Sequence, residues 1–143
     1  MMRPVRGNCF RSFLRLLYTL LLYLLMPLVL LRLWWRGRRN PGYRERTAER
    51  FGIYSGTIPG GCIWIHAVSV GESQATQPLM RWISENLPDV PVVISTTTPT
   101  GADRVAQMYG DTVTRVYFPY DLPFAIRRAL HAFRPRLMVV MET

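Results

Sequence analysis

Residues 16–31, LLYTLLLYLLMPLVLL, run for 16 positions without a charge, between Arg15 and Arg32. Nothing else in this 143-residue chain restricts its folding as strongly. As a helix the run is about 24 Å long, a little short of a bilayer core of about 30 Å. Flanking arginines can snorkel to make up the difference, and Trp34 and Trp35 suit a membrane interface. Pro27 kinks such a helix, which membrane helices tolerate better than soluble ones. Because the run is apolar on every face, it fits poorly as the core helix of a soluble domain. It also fits poorly as a cleaved signal peptide, because RLWWRGRR follows in place of a small-residue cleavage site. A spanning anchor is the expected form. A helix lying in the interface is the alternative, since Arg11 and Arg15 sit on its first turns. Either form sets Arg36, Arg38, Arg39, Arg44, Arg46 and Arg50 beside lipid headgroups, on the cytoplasmic side by the positive-inside tendency. There each arginine adds about 1 kcal/mol of attraction to an anionic surface.

The formal net charge of +9 belongs to this end of the chain. Residues 1–50 hold 11 arginines against Glu45 and Glu49, whereas residues 51–143 balance seven arginines with seven acids. A nucleic-acid-binding domain would carry its basic residues across the folded surface, so no nucleic-acid partner is expected. All 18 basic residues are arginine, which suits phosphate and equally suits a compositional bias of the genome. Cys9 and Cys62, the only cysteines, make no disulfide framework or zinc site and fit a reducing compartment.

The rest of the chain, 49% apolar overall, alternates two periodicities. Cys62–Val68, Val90–Ser95, Val113–Phe118 and Arg136–Met141 read as strands. Glu72–Leu87, Pro99–Tyr109 and Leu122–Phe133 read as helices, the first with Ala75, Leu79, Trp82 and Ile83 on one stripe. This alternation predicts an α/β domain with a parallel sheet and helices on both faces. The expected division is an anchor and basic collar over 1–40, a link with a short helical segment over 41–60, and the α/β domain over 61–143.

An open parallel sheet binds ligands beyond the carboxyl ends of its strands. The segments expected there are SVGES, STTTPTG, FPYDLP and MET. They contain Glu72, Asp121 and Glu142, and their small turns can present N–H groups to an anion. Ser69 and Glu72 match the capping-box spacing, so Glu72 reads as a cap or as a catalytic base. Asp121 and Thr98 read as helix caps. Thr100-Gly101 extends a small-residue turn but forms no Walker motif. His66, in mid-strand, reads as a core histidine. Glu142 stands at the functional end of the last strand, so the chain is expected to be part of a longer one.

HAVSVGE (66–72), TTTPTG (96–101), VYFPYDLP (116–123) and VVMET (139–143) closely resemble the bacterial Kdo transferases. These add 3-deoxy-D-manno-octulosonic acid (Kdo) from CMP-Kdo to the lipid A precursor of lipopolysaccharide. The segment LLYTLLLYLLMPLVLLRLWWRGRRNPGYRERTAERFG is similar to the membrane anchor of that family and the stretch after it, so the resemblance covers residues 13–143. It implies the N-terminal, acceptor-side Rossmann-like half of a GT-B glycosyltransferase. The donor half would hold CMP and follow downstream, beginning with a continuation such as ELWPN. It implies Glu72 as general base and Glu142 as stabiliser of the transition state. Ser69, Gly71, Thr97, Thr98, Thr100 and Gly101 are the implied substrate contacts. The implied reaction inverts the anomeric centre and uses no cofactor and no metal. The implied partners are the CMP-Kdo donor, the lipid A precursor and the inner membrane, with the globular domain on the cytoplasmic side. Two alternatives remain: a membrane-tethered module that binds the acceptor lipid without turnover, or another nucleotide-sugar transferase on the same fold.

Overall fold

In the run from Cys62 to Ala67 every residue is buried, because both faces of the strand are covered. Ile63 and Ile65 point to one side and join Ile83, Val92, Ile94, Val105 and Val113. Cys62 and Trp64 point to the other and join Val93, Val116, Ala129 and Phe133. This period of two makes two cores from one strand. The computed structural model describes residues 7–39, 41–43 and 45–142. Arg44, Thr143 and the side chains of Cys9, Arg11 and Arg39 lie outside the described residues.

The elements are α1 (Gly7–Arg39), β1 (Ile63–Ala67), α2 (Val70–Ala75), α3 (Gln77–Asn86), β2 (Val92–Thr96), α4 (Pro99–Tyr109), β3 (Thr114–Tyr117), α5 (Pro123–Phe133) and β4 (Leu137–Met141). Short 3-10 turns occupy Pro41–Tyr43, Thr47–Phe51 and Gly110–Thr112. All strand pairs are parallel, in the order β3-β2-β1-β4. Ile65 pairs with Ile94 on one side and Val139 on the other. Helices α3 and α4 supply Ile83 and Val105 to the first core, and α5 supplies Ala129 and Phe133 to the second. The expected α/β class with helices on both faces is what forms.

The expected helix over 72–87 is two helices, broken at Thr76. Pro78 has no N–H to return to Gln74, so the ladder cannot continue through it. The buried stripe also differs from the expected one. Ser73, Thr76 and Ile83 are buried, whereas Ala75 is exposed and Trp82 is 54% exposed, so those two do not belong to the core. Asp121 does not cap α5 either. Leu122 takes the cap position with no side-chain bond, and Asp121 accepts the Tyr18 hydroxyl at 2.6 Å.

The segment 45–61 meets the domain through Glu49 and Arg50 and through Tyr54 and Ile58, which pack on the second core. Glu49 is buried and accepts the Tyr117 backbone N–H at 2.8 Å and the Arg46 Nε–H at 2.6 Å. Arg50 is also buried, donates to the Thr97 carbonyl at 3.0 Å and lies 4.3 Å from the Tyr117 ring centroid. Arg46 also donates to the Arg115 carbonyl. Arg46 and Arg50, expected at headgroups, are therefore engaged by the domain. Their side chains are drawn in by the carbonyls, the Tyr117 ring and, for Arg46, the Glu49 carboxylate.

Helix α1 continues through Pro27, and an 18-residue stretch within Ser12–Arg38 has a mean hydropathy of 2.1. Leu16, Leu20, Leu24, Leu28, Leu31 and Trp35, three or four apart, are 61–74% exposed. The helix touches the domain at several points. Tyr18 meets Asp121, Tyr23 stacks 6.4 Å from Phe124, and Val29 and Leu33 face Thr97 and Tyr120 across a small cavity.

Candidate functional site

The strand order places β2 and β3 on one side of β1 and β4 on the other. The chain thus reverses direction between β1 and β4, and the crevice at such a switch point, beyond the carboxyl ends, is where open α/β sheets bind ligands. Here the crevice is flanked by the turn Val68–Gly71 with Glu72 and by the end of β4. Ala67 pairs with Met141, so Val68 and Glu142 form the next level of the two strands. Neighbouring strands stand about 4.8 Å apart. Glu72 and Glu142 therefore share one rim, one strand apart, with Glu142 exposed and Glu72 half-exposed.

Ser69, in extended conformation, opens α2. Its Oγ accepts from the Glu72 backbone N–H at 3.4 Å and donates to Glu72 Oε1 at 3.1 Å. Glu72 Oε2 accepts from the Val68 N–H at 2.5 Å. The carboxylate is thus held by two donors at the helix start, where its charge suits the dipole. Each oxygen keeps a further lone pair for an incoming hydroxyl.

The second rim segment is tied to the first. Thr97 donates from Oγ1 to the Val68 carbonyl at 3.1 Å and accepts Arg50 on its own carbonyl. Thr98 caps α4 as expected, accepting the Gly101 N–H at 3.1 Å, and Thr100 donates to the same hydroxyl at 3.4 Å. A Cβ on Gly101 would lie 3.0 Å from Thr98 Oγ1, so a larger residue there would press on the capping hydroxyl. Gly71 is exposed and a Cβ there would meet only Ser69 Oγ at 3.9 Å. Ser69, Gly71 and Glu72 thus come together with Thr97 and Glu142, while Thr98, Thr100 and Gly101 bond mainly among themselves. Two sizeable hollows lie elsewhere. One of about 810 Å³ runs along α1 at Leu28, Leu31, Trp34 and Trp35, and one of about 630 Å³ lies between α3 and Tyr109.

Behind the rim, His66 is buried, with Nδ1 3.1 Å from the Ser95 carbonyl and 3.0 Å from its hydroxyl, and its ring stacks 4.0 Å from Phe118. Burial pushes its pKa below the ordinary value, opposed by the Ser95 carbonyl and by the Glu72 charge. The unfolded chain then takes up a proton near the ordinary pKa of about 6.5, before the folded one does. Stability is therefore full above that value and falls as pH drops toward the folded pKa. In thermal unfolding scans at about pH 5.5 and pH 7.5, His66→Gln should show a smaller loss at the acid end than the parent. An equal loss in both would show that His66 does not cause it.

Reading the sequence alone missed Glu49 and Arg50 as parts of the rim. The available signal was Glu49-Arg50-Phe51-Gly52, where a short turn is closed by a glycine at φ 74°.

Comparison with known proteins bears on the same residues. Residues 45–143 match the family described as 3-Deoxy-D-manno-octulosonic-acid transferase (kdotransferase). The chain is 42% identical over 131 residues to the 3-deoxy-D-manno-octulosonic acid transferase of Haemophilus influenzae, covering 90% of this chain and 31% of that protein. It is 38% identical over 134 residues to the Bordetella pertussis protein of the same name, covering 87% and 31%. No solved structure matches. The chain spans about a third of the length of these relatives. With the matched segment running from residue 45 through every rim element to the last strand, the chain belongs to the 3-deoxy-D-manno-octulosonic acid transferase family.

Proposed function

We propose that this chain forms the acceptor-side half of a GT-B Kdo transferase, which moves Kdo from CMP-Kdo to a hydroxyl of the lipid A precursor with inversion. The new bond joins the acceptor oxygen to the anomeric carbon as the bond from that carbon to CMP breaks. The hydroxyl proton goes to Glu72. Glu142 stabilises the positive charge that develops at the anomeric centre. The observation that carries this reading is the half-exposed Glu72 carboxylate, fixed at the β1/β4 switch point beside Glu142. Ser69, Gly71 and Thr97 border the acceptor, with Thr98, Thr100 and Gly101 shaping the turn beside it. The test joins this chain to the remaining two thirds of the Haemophilus influenzae relative. The fusion should transfer Kdo from CMP-Kdo to the lipid A precursor, and this chain alone should not. A folded fusion without transfer, or turnover by the chain alone, would contradict the reading.

A second reading has its own support: both Glu72 oxygens already hold capping bonds, as in a purely structural role. In that case the chain presents a lipid acceptor without acting on it. Glu72→Gln separates the two, because glutamine can keep the cap but cannot take the proton.

We further propose an inner-membrane location with the domain on the cytoplasmic side and α1 lying in the interface. Between Tyr18 and Arg36 the helix covers about 27 Å while touching Asp121, Phe124 and the Thr97 region. It cannot hold those contacts and cross a bilayer. A cysteine at Ser12, in a Cys9→Ser background, should react with an impermeant maleimide added on the domain side of sealed vesicles. Protection of that cysteine would favour a spanning helix.

A further inference from the structure

Between α1 and the rim lies a cavity of about 150 Å³ lined by Arg32, Arg36, Tyr43, Arg50, Thr97 and Tyr120, together with two apolar α1 residues. Arg50 is only 5% exposed, yet among the described residues no carboxylate pairs with it. One guanidinium nitrogen reaches the Thr97 carbonyl, the ring of Tyr117 covers its face, and Nε is buried without a partner. A buried charge left with an open donor is costly unless an anion completes it. Arg32 and Arg36 stand one helical turn apart on α1 and bring two further cations to the same space. Among the described residues no acidic side chain lines it. The tyrosine hydroxyl of Tyr120 remains protonated at neutral pH, since burial raises its pKa, and so adds a donor. The volume suits a tetrahedral oxyanion and is too small for a nucleotide.

We propose that Arg32, Arg36 and Arg50 form a binding site for a phosphate monoester, which enters between α1 and the sheet rim. Guanidinium groups bind such a dianion through forked, charge-assisted bonds. Thr97 links the two places directly, since it holds both Arg50 and the Val68 carbonyl of the Glu72 turn. With the exposed leucine stripe of α1 in a bilayer, the cavity sits at headgroup depth. The identification of the ester with a phosphate on the acceptor lipid rests on the proposed Kdo transfer. The site itself does not.

The test measures binding, so it succeeds or fails independently of Kdo transfer. The whole chain is titrated with phosphatidylcholine vesicles carrying phosphatidic acid, a monoester, or phosphatidylglycerol, a diester, at matched surface charge. Binding to phosphatidic acid should be about tenfold tighter. Arg36→Gln and Arg50→Lys should each remove that preference, whereas Arg81→Gln, a distant exposed arginine, should keep it. Arg36 is on the exposed helix, so its variant tests the site even where Arg50→Lys disturbs folding. Specific protection of the folded chain by inorganic phosphate, lost in Arg36→Gln, with no vesicle preference would support the site with the free ion as its ligand. Absence of both effects, or a preference that survives Arg36→Gln, would overturn the proposal.

Discussion

Gly52→Ala should remove a large part of the protein's stability. Gly52 ends the Thr47–Phe51 turn at φ 74°, a left-handed conformation that costs an L-residue about 1–2 kcal/mol. Its N–H closes the turn on the Glu49 carbonyl at 2.8 Å, so the backbone cannot relax freely. An added Cβ would lie 2.4 Å from the Ala125 carbonyl oxygen and 2.8 Å from Arg128 Cβ. Both atoms belong to α5, whose Ala129 and Phe133 are in the core. Relieving the overlap means lifting the turn or displacing α5, and such overpacking costs about 1–3 kcal/mol. The combined loss, about 2–5 kcal/mol, is a large part of a typical stability of about 5–15 kcal/mol. Urea unfolding should show the midpoint fall steeply, whereas Gly56→Ala, with nothing within 4 Å of its Cβ, should lose only the left-handed term. Equal losses at the two glycines would show that the turn does not press on α5.

The central architecture was legible because it rests on local rules. The unbroken apolar run from Cys62 to Ala67 predicts a strand covered on both faces, and four such strands separated by helices predict a parallel sheet. The capping spacing of Ser69 and Glu72 is local in the same sense, as is Thr98 before Pro99. These locate the rim, and with it Glu72 and Glu142, without tertiary information. The features that could not be read depend on contacts across the chain. Nothing near Arg50 in sequence says that its guanidinium will sit under Tyr117 and bind Thr97, 47 residues away. Asp121 looks like a cap until Tyr18, 103 residues distant, donates to it. Trp82 fits an apolar stripe by its spacing from Leu79, but the buried side of α3 runs through Leu79, Met80 and Ile83 and leaves Trp82 outside it. The length and hydropathy of α1 fit a spanning and an in-plane helix alike. Only its contacts with the domain favour the second.

The other large effect concerns Glu72→Gln. Glutamine at the third helical position also supports a capping box, since its amide oxygen can accept from Val68 or Ser69. The substitution therefore keeps most of the side chain's contribution to folding. It removes the favourable charge at the helix start, a loss of about 0.3–1 kcal/mol. It also removes all capacity to take a proton. A general base contributes about 10²–10⁴-fold to a rate, so transfer should fall by that factor. Glu72→Ala loses both functions and should add a stability loss of about 1 kcal/mol from the broken cap.

The most direct check is to measure Kdo transfer and thermal unfolding on one preparation of the Glu72→Gln fusion enzyme. A rate at least about 100-fold lower, with the unfolding temperature held to within a few degrees, is the predicted result. Transfer at the parent rate, or a loss of rate that appears only together with unfolding, would contradict a base at the β1/β4 switch point.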